Sequence, residues 1–226
     1  MKNAKDLMGT LNRINGRGYK AYKDIEGAYD MGGVYLYIDH VQSDPFAPPS
    51  RVRAAVKQTF PGEYINDKDS RIALGDYLTR QFKKNILKLH RGGRGTGKSG
   101  LIAIDCGRQE ILERTSMHIA GDAVEARFEV GIPAAGRRIL GKEAESIFSE
   151  TIPAIVKASM ICNNINRQEL KHFIELYRDQ QYMRKELKER HLVAFVADGA
   201  VLPRESGISE QPLKNAVPFC SPDSNK

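Results

Sequence analysis

"FKKNILKLHRGGRGTGKSGLIAIDC", residues 82–106, is the stretch on which the fold turns. Within it Gly92, Gly97, Lys98 and Ser99 satisfy G-x-x-x-x-G-K-[ST], the pattern in which backbone N–H groups and one lysine wrap a nucleotide phosphate. Such a loop needs a strand entering it and a helix leaving it, because the helix N-terminus supplies the unpaired N–H donors and the positive end of the dipole. Here the order is reversed. Ile72, Leu74, Leu78, Phe82, Ile86 and Leu89 recur near the 3.6 period, with Arg80, Lys83, Lys84 and Lys88 on the remainder, so a helix with a basic side runs into the loop. Beyond Ser99 the chain reads "GLIAIDCG", an apolar β-type run bounded by glycines. The stretch predicts helix, loop, strand.

Working outward, Lys5 to Ile14 reads as a short helix with Leu7, Leu11 and Ile14 on one face, and "GVYLYIDHV", residues 33–41, as a strand. "QSDPFAPPS" carries three prolines, which fix φ and remove donors, so it is a shaped loop; "SRVRAAVKQTF" after it fits strand or helix. "EILERTSMHI" and "AVEARFEV" flank "AGD" as a half-buried hairpin, Val124, Ala126, Phe128 and Val130 alternating with Glu125, Arg127 and Glu129. Lys142 to Met160 reads as a helix interrupted near Pro153. Asn166 then caps a long helix reaching about Arg190, with Leu170, Phe173, Ile174 and Tyr177 on one face. "HLVAFVADGAVLP" reads as a buried strand leaving into a loop. Together these elements predict an α+β module with a mixed sheet, a β-hairpin and three to four amphipathic helices, spanning 1–205, with an extended tail at 206–226.

The 226 residues carry a formal charge of +7, unevenly placed. Residues 51–100 hold twelve Lys/Arg against four Asp/Glu, residues 101–150 six against nine. That concentration suits a polyanion or a solvated helix face. Three scattered cysteines without a C-x-x-C pair fit a reducing cytoplasm, the histidines lack ligand spacing, so no metal is expected, and no apolar run is long enough to span a membrane.

The G-K-S loop therefore has three readings. It is a hydrolytic P-loop using Lys98 with Asp198 at the end of "LVAFVAD", or a basic loop touching phosphates through Gly95, Gly97, Lys98 and Ser99, or a plain connector. Hydrolysis is disfavoured because Gly199 follows Asp198 and no L-S-G-G-Q segment is present. Arg91, Arg94, Lys83, Lys84 and Lys88 extend the basic surface, a candidate nucleic-acid contact. "GRGYKAYKDIEGAY" interleaves Tyr19, Tyr22 and Tyr29 with Arg17, Lys20 and Lys23, a composition that suits stacking on bases or ordinary packing. In the proline loop Asp44, Pro45, Phe46, Pro48 and Pro49 read as a brace, with Phe46 buried beside "VYLYI". Asp198 and Arg204 mark a possible loop site.

"GRGYKAYKDIEG", "IDHVQSDPFAPPSRVR", "GTGKSGLIAIDCGRQEILERT", "VGIPAAGRRILG", "LVAFVADGAVLPRESG" and "VPFCSPDS", in that order from about residue 8 to 224, resemble the N-terminal region of ATPases of the ABC class. This bacterial family has eukaryotic relatives that include a kinetoplastid mitochondrial RNA-editing factor. The resemblance implies an ATPase core C-terminal to the S-P-D-S segment as partner within the same protein, with ATP and Mg²⁺ bound there and none held tightly by residues 1–226. It also implies RNA as a partner by analogy, and leaves a homodimer open. On this reading the chain is a non-catalytic module whose own G-K-S-G loop is Gly97 to Gly100. The alternatives are a self-sufficient hydrolase using Lys98 and a purely structural dimerisation module.

Overall fold

A computed structural model describes residues 1–90, 92, 96–107 and 111–192. The strand expected at "LVAFVAD", Asp198, Arg204, the boundary at 205 and the tail lie outside the described residues, as do Arg91, Arg94 and Gly95.

Among the described residues the order is β1 (Lys2–Asn3), α1 (Ala4–Ile14), β2 (Gly27–Asp30), β3 (Val34–His40), β4 (Ser50–Lys57), α2 (Gly62–Ile65), α3 (Lys68–Leu89), β5 (Ile102–Ala103), β6 (Met117–Ala120), β7 (Ala123–Val130), β8 (Ala134–Ala135), β9 (Arg138–Ile139), α4 (Gly141–Ser146), α5 (Ile152–Met160) and α6 (Arg167–Glu189). This is an α+β fold. Seven strands form one mixed sheet in the order β1-β2-β3-β4-β7, with β5 and β6 both on the outer edge of β7; β8 and β9 make a small separate hairpin. The β1–β2 pair is parallel and the other pairs are antiparallel.

The stretch left between strand and helix, "SRVRAAVK", is β4, paired along its length with β3 on one side and β7 on the other. Period-2 alternation decides it: Ser50, Val52, Ala54 and Val56 are buried while Arg51 and Lys57 are exposed. Val34, Leu36 and Ile38 of β3 and Val124, Ala126, Phe128 and Val130 of β7 join the same buried face. Onto that face pack α3 and α5, and α6 lies against α3. The alternate side chains of these strands, Tyr35, Tyr37, Arg53, Ala55 and Glu125, are part-buried and Asp39, Arg51, Arg127 and Glu129 exposed, so the other face of the sheet is uncovered among the described residues.

Because α3 sits between the sheet, α5 and α6, every residue from Ala73 to Thr79 is buried, Asp76 included. The helix starts on Asp67, whose carboxylate accepts the Ser70 N–H at 2.9 Å. The Ser70 hydroxyl and N–H hold this carboxyl below the ordinary carboxylate range, with Arg178 adding to the effect. A depressed folded-state pKa means that the cap contributes in full above about pH 4 and is lost as pH falls through the lowered value. Asp67→Ala is expected to cost about 1 kcal/mol near neutral pH. In urea titrations its difference from wild type should shrink once the pH is well below about 4.

The interruption expected near Pro153 is a π-helical turn, Ile147–Thr151, in which the Ile152 N–H reaches the Ile147 carbonyl. Proline cannot donate and its ring crowds the carbonyl four residues back, so a widened turn just before it lets α4 and α5 continue nearly end to end. Of the first arm expected for the hairpin, residues 111–116 are not strand. Thr115 Oγ1 donates to the Met117 carbonyl and accepts the Met117 N–H, which bends the chain until β6 begins.

Candidate functional site

The G-K-S loop is closed onto a second segment, residues 131–136. The Thr96 N–H donates to the Ala134 carbonyl at 3.0 Å and the Gly131 N–H to the Leu101 carbonyl at 2.7 Å. Two side chains complete the seam: Thr96 Oγ1 accepts the Gly136 N–H at 2.6 Å, and Ser99 Oγ accepts the Ala134 N–H at 3.0 Å. The Ser99, Gly100 and Leu101 N–H groups donate to the Thr96, Gly131 and Lys98 carbonyls. Ser99 is buried, and the chain passes directly into β5.

This geometry does not fit an ATP·Mg²⁺ cradle. Three consecutive loop N–H groups that a phosphate would need are satisfied inside the loop and its partner segment, the hydroxyl that would face Mg²⁺ is turned inward, and the loop leads into a strand instead of a helix N-terminus. Of the four residues suggested for phosphate contact, Gly95 is outside the described residues, Ser99 faces inward, and Gly97 and Lys98 are exposed. Gly97 sits at φ +63°, and a Cβ there would meet the Pro45 carbonyl oxygen at 2.7 Å and the Phe46 ring at 3.4 Å.

That contact joins the loop to the proline turn. Asp44 Oδ1 accepts the Phe46 N–H at 2.9 Å, while Pro45 and Pro49 turn inward. Phe46 itself is 61% exposed, which corrects the expectation of a buried brace: Pro45 and Pro49 fill the interior, while Pro48 and the phenyl ring stand out of it. Phe46→Ala should accordingly change the urea midpoint by less than about 0.5 kcal/mol equivalent.

The same end of the molecule receives "GRGYK". The Tyr19 N–H donates to the Arg137 carbonyl at 2.8 Å, the Ile139 N–H to the Arg17 carbonyl at 3.0 Å, and the Gly16 N–H to the Ile139 carbonyl at 2.9 Å. Tyr19 and Tyr22 are packing residues, edge to face at 5.1 Å; the Tyr22 hydroxyl donates to the Pro133 carbonyl at 2.6 Å. Burial first, and the charge of Asp44 second, push the Tyr19 hydroxyl up to about 12. Four segments distant in sequence thus meet here, each by main-chain or turn contacts: residues 16–20, 44–49, 96–101 and 131–139.

The basic helix side is present as well. Lys83, Lys84 and Lys88 are exposed within roughly 140° of arc on α3, with the exposed Leu87 among them. Arg53 and Arg80, from the same charge-rich stretch, are engaged elsewhere. Arg53 binds Asp39 through two nitrogens at 2.7 and 2.8 Å and Glu125 at 2.8 Å, and lies over the Tyr37 ring at 4.7 Å. Those contacts raise its pKa further, the Asp39 hydrogen bond first. They border a concavity of about 790 Å³ on the uncovered sheet face, where Arg51, Arg53 and Arg127 meet Asp39, Asp105 and Glu129. Mixed charge of that kind does not draw a polyanion.

Arg80 pairs with the buried Asp76 at 2.7 Å and lies 5.3 Å from the Phe173 ring centre. Sequence reading placed Arg80 on a solvated side; no periodicity signal marks the carboxylate beneath it. Burial, and then Asp76, push the Cys106 thiol up, a shift that disfavours the thiolate. Among the described residues no cluster of three His, Cys, Asp or Glu side chains is placed to hold a metal, and no helix is long and apolar enough to cross a membrane.

Comparison with known families now adds to this geometry. Residues 4–163 match the N-terminal region of ATPases of the ABC class, and residues 166–226 match the P-loop domain of ABC ATPases. This chain belongs to the ABC-class ATPase family. Within this ABC-class ATPase the G-K-S loop falls in the N-terminal match and outside the P-loop match, which begins at the foot of α6. A P-loop domain is a nucleotide- and Mg²⁺-binding type, so the match over residues 166–226 supports binding of that kind in principle. Among curated proteins nothing matches this ABC-class ATPase chain.

Proposed function

We propose that residues 4–163 act as a non-catalytic N-terminal module of the ABC-class ATPase, working in the cytoplasm. The module packs on the ATPase core of the same protein and contributes a basic surface for RNA or nucleotide phosphates. The observation that carries this reading is the seam between residues 96–101 and 131–136, which uses the loop's own donors for folding and leaves Lys98 outside as a point charge. With Lys83, Lys84 and Lys88 it suits phosphate by electrostatics alone, without a transition-state apparatus. The uncovered sheet face, bearing both signs of charge, favours the second reading of a dimerising module.

Two measurements test the proposal. Purified chain with Mg²⁺ and ATP should show no turnover that depends on Lys98; a rate lost in Lys98→Ala would restore the hydrolase reading. Single-stranded RNA should bind at low salt, with a log–log salt slope of about −0.7 per phosphate contact, and weaken in Lys83→Ala/Lys84→Ala/Lys88→Ala. Absence of any binding at about 50 mM salt would remove the basic-surface assignment.

A further inference from the structure

The convergence of four segments at one end of the molecule has a chemistry that the basic side of α3 lacks. Phe46 projects its ring from a turn whose geometry is set three times over: Asp44 Oδ1 accepts its N–H at 2.9 Å, the Ala47 N–H closes on the Asp44 carbonyl at 3.1 Å, and Pro45 and Pro49 are buried on either side. Gly97 lies against that turn, close enough that any side chain on it would collide with the Pro45 carbonyl, and Lys98 follows directly. Asp44 Oδ2 draws Arg137 in at 3.2 Å, although the arginine side chain remains 77% exposed. Arg138 reaches the Gly16 carbonyl at 3.4 Å, and Arg17 and Lys20 are exposed beside it. Arg137, held by Asp44, and Lys98, next to Gly97, thus flank the turn that carries the outward ring, while Arg17, Lys20 and Arg138 are exposed on the two segments joined by the Tyr19–Arg137 and Ile139–Arg17 hydrogen bonds.

We infer that this end of the module is a binding site for single-stranded nucleic acid, with Phe46 as the platform on which a base stacks and Arg137, Arg138 and Lys98 as the groups that hold adjoining phosphates. The inference rests on the proposed affinity for RNA phosphates and adds to it a location, a strandedness and a base contact. An exposed phenylalanine costs solvation free energy unless something covers it, and a ring fixed by its own backbone stacks with little further loss of side-chain freedom. Bases offer a π-face whatever their identity, while arginines and lysine supply charge neutralisation, the combination found in sequence-tolerant single-strand sites. Duplex is a poorer fit, because its bases are already stacked on each other.

The experiment uses Phe46→Trp, informative because the chain contains no tryptophan of its own. Its fluorescence should be quenched on titration with oligouridylate, and much less by inorganic polyphosphate, which carries charge without bases. Phe46→Ala should weaken oligouridylate binding roughly tenfold or more and leave polyphosphate binding unchanged. Arg137→Gln/Arg138→Gln should weaken both and flatten the salt slope by about 1.4. Running oligothymidylate beside oligouridylate separates DNA from RNA as the source of the shared chemistry. Binding lost in the α3 lysine variant but unaltered in Phe46→Ala and Arg137→Gln/Arg138→Gln would overturn this site while leaving the basic-surface reading intact. No wild-type binding to either oligonucleotide would overturn both, and equal quenching by poly-glutamate would assign the ring to an acidic peptide instead.

Discussion

Gly131→Ala is expected to destabilise the protein by about 3 kcal/mol or more, the upper end of what overpacking costs. A Cβ on Gly131 would fall inside the Lys98 carbonyl oxygen, 2.7 Å from the Lys98 carbonyl carbon and 3.2 Å from the Leu101 nitrogen. All three are main-chain atoms, so no rotamer change relieves the overlap; the 96–101 loop must move away from β7's end. Doing so breaks the Gly131–Leu101 and Gly100–Gly131 hydrogen bonds and pulls Ser99 from the Ala134 N–H. The urea midpoint should fall by about 1 M or more at ordinary m-values. Gly9 is the control, because α1 leaves open space around it: Gly9→Ala should gain about 0.5–1 kcal/mol. A Gly131→Ala protein as stable as wild type would mean that the seam between the loop and residues 131–136 is not formed in solution.

The second large effect belongs to Arg80. Removing it as Arg80→Met keeps most of the aliphatic stem over Phe173 but strands Asp76, a fully buried carboxylate whose Oδ1 has no hydrogen-bond partner among the described residues. An uncompensated buried charge of this kind costs about 3–5 kcal/mol. Asp76→Leu/Arg80→Met, which removes the charge together with its counter-ion, should recover most of that loss, a non-additivity readable in a double-mutant cycle. If Arg80→Met alone costs under about 1 kcal/mol, Asp76 is held by something other than this pair.

Why Asp76 escaped sequence reading and Leu74 did not is a matter of what each signal contains. The 3.6 period of α3 names the side facing the sheet, and Leu74, Leu78, Phe82 and Ile86 are buried as the pattern requires. It cannot say that α6 covers a second side, and Arg80 one turn after Asp76 looks like a solvated helix pair. The strand assignments divide the same way: β3 was legible from its aromatic and β-branched run and β7 from alternation, whereas the Ala54–Ala55 pair left β4 open until both of its neighbours were in place. Phe46 was misjudged because an apolar residue among prolines usually fills a hole; here Pro45 and Pro49 fill it first. The reversed order around the G-K-S loop was legible, but not the seam, which depends on residues 35 and 40 positions away. The meeting of residues 137–139 with Gly16, Arg17 and Tyr19 was beyond any local pattern for the same reason.

The centre of the sheet also sets a schedule for making the protein. β4 gains its second neighbour only from β7, and the Arg53–Glu125 bond across that pair joins residues 72 positions apart. At ribosomal speeds of about 5–20 residues per second, the apolar side of β3 and β4 waits on the order of 4–14 s for the strand that completes it. During that interval the nascent chain exposes Val52, Ala54 and Val56 beside an open edge, the situation in which holdase chaperones bind and wrong pairings begin. Refolding from denaturant should therefore be limited by closure of this long-range pair and fall in the millisecond-to-second range of sheet-rich topologies.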